Sequence, residues 1–441
     1  MARKLPALRS SKHAAATAAI IQRMPAPELV HPVPVEEIPA WTRAMASTFL
    51  GDPDGDGTAR RIGLLTRDWE PERAWGAKAG GRFVATLRTD ARSLTVPGAG
   101  TDTNELVVDA LTNVTTAATH RRRGLLTQML GESLTAARDR GDAASILIAA
   151  EWPIYGRFGY APATLAANYV LRRGRPGATV AGDPSRLRQV ERDEFAQLAP
   201  AVYERARRRR AGQLERDRRW WDRVLGGDGL EPSPDLPHNW LVHESADGPD
   251  GLLAWRETTG HFGLIPPYGR IDVWTLATAT DAAYRDSWAY LSGIDVSDEI
   301  HLYNRPADEP ARWLLHDART LVMTEHVDFT WLRILDVPKA LSARRYATSD
   351  ELVLEISDDA KPSFVAGRYR LRDEEGTASC ERTDAAPDLE ITQTALASLY
   401  LGGFRLRQLA PESARESTPG ALHRLDLMFS TSLAPWNATW F

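Results

Sequence analysis

The chain has 441 residues, 43% hydrophobic and 26% charged, with a formal net charge of −5 and one cysteine, Cys380. At roughly 100–200 residues per domain this length makes two to four domains, each able to bury a core. The charge excludes a global bias toward nucleic acid or acidic membrane, the lone cysteine excludes an intrachain disulfide framework, and no apolar stretch approaches the roughly 20 residues that cross a bilayer.

The first elements alternate between turns and apolar periods. Residues 1–27 place Arg3, Lys4, Arg9, Lys12 and Arg23 around an alanine-rich middle and read as a disordered basic tail. Ile38, Trp41, Met45 and Phe49 recur at three and four residues and predict a helix with one apolar stripe. GDPDGDG opens like a calcium loop at Asp52, Asp54, Asp56 and Gly57, but Gly63 stands where a bidentate glutamate is needed, so it reads as a turn. Two strands are expected around Gly80-Gly81, then a third in NELVVDALTNVTTAAT. Leu126, Met129, Leu130, Leu134 and Ala137 predict a helix that Gly141 closes, and Ile146 to Ala150 predict a buried strand. This is an α/β unit that lasts until about residue 175.

The middle third carries YERARRRRAGQLERDRRWW, where four arginines stand beside Trp220 and Trp221. Glu204, Glu215, Asp217 and Asp222 interrupt the charge, so a solvated, salt-bridged helical face is expected in preference to a nucleic-acid patch. NWLVHES, GLLAWRE and GRIDVWTLAT predict strands and AYRDSWAYLSGI a helix, which make a second α/β piece. From about residue 333, ELVLEISD, SFVAGRYRLR and DLEITQ read as short alternating strands, and TALASLYLGG and ALHRLDLMF as helices.

The sequence HRRRGLLTQML runs three arginines and a glycine into an apolar helix. A helix begins with backbone N–H groups that lack partners and with the positive end of its dipole. Placed after a strand, with arginines and a glycine around it, that start reads either as a cradle for a pyrophosphate or, as a lone R-x-x-G more often is, as a solvated basic turn. No G-x-x-x-x-G-K-[ST], no G-x-G-x-x-G after a strand and no G-x-S-x-G is present, and no histidines pair at metal-binding spacing.

The strand, the R-x-x-G turn and the helix resemble the coenzyme A signature of the GCN5-related N-acetyltransferases (GNAT). THRRRGLLTQML, followed by EWPIYGRFGYAPAT, NRPADEPARWLL and an aromatic last residue, is similar to their enhanced intracellular survival (Eis) branch. The resemblance covers nearly everything after residue 28. It implies tandem GNAT-type α/β (α+β) domains with mixed sheets flanked by helices: an acetyltransferase domain over 28–175, a degenerate one over 176–332, and a sterol-carrier-protein-like α+β domain over 333–441. It further implies acetyl-CoA as cosubstrate, a small-molecule amine such as an aminoglycoside as acceptor and a homohexamer; a cytoplasmic location is expected from where that cofactor is found, and no metal, nucleic acid or membrane is expected from the histidine spacing, the interrupted charge and the apolar runs.

By position, the resemblance assigns Val114, Thr115 and Thr116 to the pantetheine arm, and Arg122, Arg123, Gly124, Leu125, Leu126 and Thr127 to the pyrophosphate. Ala150 and Glu151 are expected to line the next strand. Tyr155 falls at the general acid, and Phe441, through its terminal carboxylate, at the general base. The chain departs from the family pattern at Ala118 (commonly proline), Thr116 (commonly valine), Ala150 (commonly serine), and Trp152 and Pro153 (often small). The segment STFLGDPDGDG supplies no clear acidic residue facing a substrate, which leaves the aminoglycoside open. The alternative is a lipid- or sterol-binding protein that uses the C-terminal domain and carries a vestigial acetyltransferase module.

Overall fold

The computed structural model describes residues 26–98, 103–226, 236–258, 269–295 and 297–441. The basic tail expected over 1–27 falls outside the described residues as far as position 25. The chain divides into two compact units: residues up to Asp90 with Leu111–Ser133, and Ala91–Ala110 with Leu134–Phe441. Both are α/β in construction.

The first unit opens with β1 (Glu28–Val30), α1 (Ile38–Thr48), α2 (Asp56–Arg67) and β2 (Ala74–Ala79). It shares β3 (Arg82–Pro97), β4 (Thr103–Thr116) and α3 (Leu125–Asp139) with the second. Strands β1, β2 and β3 pair antiparallel in that order, turning at Gly80-Gly81 as the sequence predicts. A small core of Val33, Trp41, Met45, Ala74 and Phe83 sits between α1 and this ladder. Two expectations change here. Phe49 lies just past the end of α1 and is 55% exposed, so the stripe stops at Met45. GDPDGDG does turn, but its last two residues begin α2, a helix in which only Thr58 is buried. With glycines at 57 and 63 and no apolar face to bury, α2 offered no period to read.

The second unit continues with β5 (Ala144–Ile148), the one-turn α4 (Trp152–Tyr155), β6 (Ala161–Pro162), β7 (Leu165–Arg172) and β8 (Leu187–Val190). Next come α5 (Arg192–Arg207), α6 (Arg218–Leu225), β9 (Asn239–Ser245), β10 (Gly248–Glu257), β11 (Gly269–Thr278), α7 (Asp281–Gly293), β12 (Ser297–Arg305), β13 (Leu321–Asp328) and β14 (Thr330–Ile334). The last region holds α8 (Val337–Ala343), β15 (Asp350–Ser357), β16 (Gly367–Glu374), β17 (Thr377–Arg382), β18 (Leu389–Thr392), α9 (Gln393–Leu399), β19 (Ala414–Glu416) and α10 (Ala421–Phe429).

Sheet membership does not follow chain order. Strand β7 leaves the sheet of the strands before it to pair between β13 and β12 in a sheet ordered β13-β7-β12-β11-β10-β9-β8. Strand β14 makes the reverse excursion and inserts between β5 and β6. A five-stranded sheet, β17-β16-β15-β18-β19, carries α8, α9 and α10.

The arginine run ends α5, and each member meets a carboxylate: Arg207 and Arg208 bond Glu204 and Glu105, Arg209 bonds Asp281, and Arg210 bonds Asp308. The salt-bridged reading holds. It is not a wholly solvated face, because Arg207 is buried.

Candidate active site

In the first unit the end of β4 leads into the arginine turn. Thr115 is buried, with its hydroxyl 2.6 Å from the Thr86 hydroxyl, which also donates to the Asn113 carbonyl at 2.8 Å. Asn113 stands at φ 54°, so the strand is kinked just before Val114 and Thr116, both half-buried. The parallel ladder from β4 to β5 contains only Asp109↔Ser145 and Ala110↔Ile146 and stops short of these residues.

The turn itself alternates handedness. Arg122 has φ 62° and Gly124 φ 79°, either side of Arg123, so the chain enters left-handed backbone twice just before α3. The Gly124 carbonyl accepts the Gln128 N–H at 3.0 Å, so Gly124 stands at the mouth of α3. The N–H groups of Leu125, Leu126 and Thr127 then have no intrahelical acceptor. Arg121, Arg122 and Arg123 are exposed, and Arg123 reaches back to the Thr119 carbonyl at 3.3 Å. His120, beneath them, is buried with Nδ1 2.9 Å from the Thr119 hydroxyl; burial and then the Arg123 charge push its pKa down, so it adds no proton to the turn at neutral pH. The space around Gly124 is open, because a Cβ there would meet nothing within 4 Å. Glycine is therefore required by the backbone angle rather than by crowding.

In the second unit β5 ends at Ile148. Ala150 and Glu151 were expected to line that strand; they lie past its end, exposed, in the bend that leads into α4. The strand stops early because Glu151 and the Trp152-Pro153 pair start a helical turn, with proline in its first turn. Tyr155 closes that turn and is buried, its ring edge-on to Tyr160 at 6.2 Å. Burial, with the Glu151 charge adding to it, pushes the phenol up to about 12. Tyr155 therefore keeps its proton throughout the neutral range.

The chain terminus is fastened to the same strand pair. Ala434 N–H donates to Asp308 at 2.9 Å, Trp436 N–H to the Ala211 carbonyl at 2.9 Å and Ala438 N–H to Gln213 Oε1 at 3.2 Å. Asn437, fully buried, donates to the Thr330 hydroxyl at 3.1 Å and the Thr439 carbonyl at 3.0 Å, and its Oδ1 accepts the Thr439 N–H at 2.8 Å. Thr330 opens β14 opposite Ile148. One residue on, Trp331 holds the Trp152 ring edge-on at 4.9 Å; one residue earlier, Phe329 holds Trp440 at 5.0 Å. The turn that carries Tyr155 and the tail that ends in Phe441 are thus tied to one end of the β5–β14 pair. Phe441 itself is half-buried against the main core. Asn437→Ala removes three hydrogen bonds from this buried anchor, and the expected cost is about 1–3 kcal/mol, read as a lower urea midpoint. An unchanged midpoint would mean that the anchor does not hold the tail.

Four polar residues behind Tyr155 were not singled out from sequence: Ser145, Tyr160, Arg333 and Gln393, all buried. The one available signal was Arg333, a charge inside TWLRI, whose five residues are all buried. Among the described residues no group of three or more His, Cys, Asp or Glu is arranged to hold a metal ion, and no helix is long and apolar enough to cross a membrane.

Comparison with known proteins agrees with this layout. The family described as acetyltransferase (GNAT) domain matches residues 30–163, a second acetyltransferase (GNAT) domain family matches 212–334, and the sterol carrier protein domain family matches 337–438. The chain is 37% identical over 415 residues to an uncharacterized N-acetyltransferase of Streptomyces avermitilis, covering 92% of this chain and 97% of that one. It is 36% identical over 374 residues to the N-acetyltransferase Eis of Mycobacterium tuberculosis, covering 81% and 86%. The crystal structure of Eis1 from Mycobacterium abscessus superimposes with a TM-score of 0.78 at 28% identity, covering 94% of this chain and all of that one, 100%.

Proposed function

Since the chain belongs to the Eis-like branch of the GCN5-related N-acetyltransferases and is an acyltransferase, we propose that it moves an acetyl group from acetyl-CoA to amines of a small polyamine, an aminoglycoside among the candidates. The observation that carries the proposal is the arginine turn at the mouth of α3, where backbone donors, a glycine at positive φ and exposed guanidinium groups gather at one helix start. Arg122, Arg123, Gly124, Leu125, Leu126 and Thr127 hold the pyrophosphate, and the backbone of Val114, Thr115 and Thr116 pairs with the pantetheine arm. Ala150 and Glu151, in the bend before α4, are kept as cofactor-binding residues by resemblance. Acetyl-CoA supplies the activated acyl carbon, and the rest is proton management by the chain.

Attack by an amine requires a proton to leave nitrogen and a developing thiolate to be stabilised. The Phe441 carboxylate, of a class ionised above about pH 4, accepts the ammonium proton or orients the amine. Tyr155 donates to sulfur. A phenol near 12 is a weaker acid than a thiol of reference pKa about 8.5. Tyr155 therefore acts by holding a hydrogen bond on the developing thiolate rather than by handing its proton over completely.

Calorimetric titration with acetyl-CoA tests the cofactor half: saturable binding is expected, and none at millimolar concentration would end the reading. Gly124→Ala forces an L-residue into left-handed backbone at a cost of about 1–2 kcal/mol, with nothing nearby to clash. A rise of roughly 10-fold in the acetyl-CoA KM at near-normal kcat is expected. An unchanged KM would place the pyrophosphate elsewhere. The cytoplasm, where acetyl-CoA is made, is the proposed location, and a homohexamer the proposed assembly.

A further inference from the structure

We propose that Arg333 of β14 and Gln393 of the sterol-carrier-like region are positioning residues for Tyr155, which they hold in place from behind. The proposal rests on the reading of Tyr155 as the hydrogen-bond donor to the leaving sulfur.

The residues after Tyr155 turn back sharply: Gly159 N–H bonds the Gly156 carbonyl at 2.9 Å and Tyr160 N–H bonds the Tyr155 carbonyl at 3.3 Å. The turn exposes two consecutive carbonyls, of Phe158 and Gly159, and each is taken by a side chain from far along the sequence. An Arg333 guanidinium nitrogen donates to the Phe158 carbonyl. Gln393 Nε2 donates to the Gly159 carbonyl and to the Ile334 carbonyl, both at 3.2 Å. Gly159 has φ 80°, and a Cβ on it would stand 3.2 Å from Ala360 Cβ and 3.3 Å from Arg333 Nε. The turn is therefore pressed against the two side chains that hold it.

The other end of the clamp is equally fixed. The second Arg333 nitrogen donates to the Pro362 carbonyl, and the Phe364 ring lies 5.0 Å from the guanidinium. Asp358 shapes that loop by accepting the N–H groups of Ala360 (3.2 Å), Phe364 (2.8 Å) and Val365 (3.2 Å). On the far side of the turn, the Tyr160 hydroxyl lies 2.7 Å from Ser145 Oγ, which donates to the Asp109 carbonyl at 3.0 Å. Tyr160 carries the ring against which Tyr155 packs.

Energetics argue that this arrangement is there for position. Arg333 is 0% exposed, bonds only carbonyls, and its Nε has no partner. A buried guanidinium that hydrogen-bonds no carboxylate, with the Asp358 charge acting on it only through space, costs more to desolvate than an apolar side chain of the same length. Methionine would fill the volume but could not span two carbonyls. What the charge provides is a fixed distance between the turn behind Tyr155 and the loop at Pro362.

A double-mutant cycle in the full-length enzyme tests this. Gln393→Leu and Arg333→Met are each expected to lower kcat roughly 10- to 100-fold, the size of effect a misplaced catalytic group produces, at unchanged acetyl-CoA KM. Arg333→Lys, which reaches one carbonyl at a time, is expected to fall between Arg333→Met and wild type. Introduced together with Tyr155→Phe, Gln393→Leu should add almost nothing to the loss. Wild-type kcat in Gln393→Leu, or the same fold-loss on both backgrounds, overturns the proposal, because a merely structural role would slow the reaction whether or not the hydroxyl is present. If Tyr155→Phe itself turns over normally, the acid reading fails first and takes the proposal with it. If Arg333→Met does not fold, Gln393→Leu carries the test alone.

Discussion

Tyr155→Phe is expected to cut kcat by about 10²- to 10³-fold, within the range for loss of a positioned proton donor, while acetyl-CoA affinity stays within about two-fold. The change removes one oxygen from a buried ring whose packing against Tyr160 is edge-on and apolar, so the fold has little reason to shift. The pH profile separates this role from simple packing. A donor functions while protonated, and a phenol pushed up to about 12 stays protonated far into the alkaline range. At saturating substrate, kcat should therefore show no alkaline fall below about pH 10, the reference phenol value. A decline centred near pH 8 would assign the donor to another group. Equal kcat in Tyr155→Phe would remove the hydroxyl from the reaction altogether.

The second large effect is expected at the chain end. Replacing the terminal carboxylate of Phe441 with an amide, keeping every side chain, should lower kcat about 10²-fold with the anchored tail still in place. The reason is that the tail is held upstream of the carboxylate. Trp436, Asn437, Ala438 and Thr439 all carry hydrogen bonds to Ala211, Thr330, Gln213 and Tyr203, and Trp440 packs on Phe329. One added residue after Phe441 should act likewise, by moving the charge while the anchor stays. In both variants the acid-side dependence that a carboxylate base gives the wild-type profile should disappear. Full activity in the amide would mean that some other base serves the amine.

Much of the layout was legible because local period and composition carried it. The strands NWLVHES and GRIDVWTLAT and the helix ALHRLDLMF stand at the residues their patterns marked, and Gly141 closes α3 at φ 83°. What was hidden is what local pattern does not encode. Strands β7 and β14 were not read from the sequence, because neither alternates, and no local pattern tells that each pairs in a sheet removed from its neighbours in sequence. Helix α2 lacked a buried face to give it a period.

Arg207 in the arginine run looked solvated because its partner Glu105 lies 102 residues away. The clamp on Tyr155 was invisible for the same reason, since Phe158 meets Arg333 across 175 residues and Gly159 meets Gln393 across 234. For the site, the arginine turn could be read directly from charge, glycine and helix start. The roles of Tyr155 and Phe441 came from resemblance alone, because nothing in IYGRFGY or APWNATWF announces proton transfer.

The most direct test of the account is to incubate the enzyme with acetyl-CoA and a panel of polyamines, counting free thiol and acetylated amine in the same sample. The account predicts saturable thiol release that appears only when an amine is present, with one amide formed per thiol. Thiol release without amide, or none with any amine despite tight acetyl-CoA binding, would contradict it.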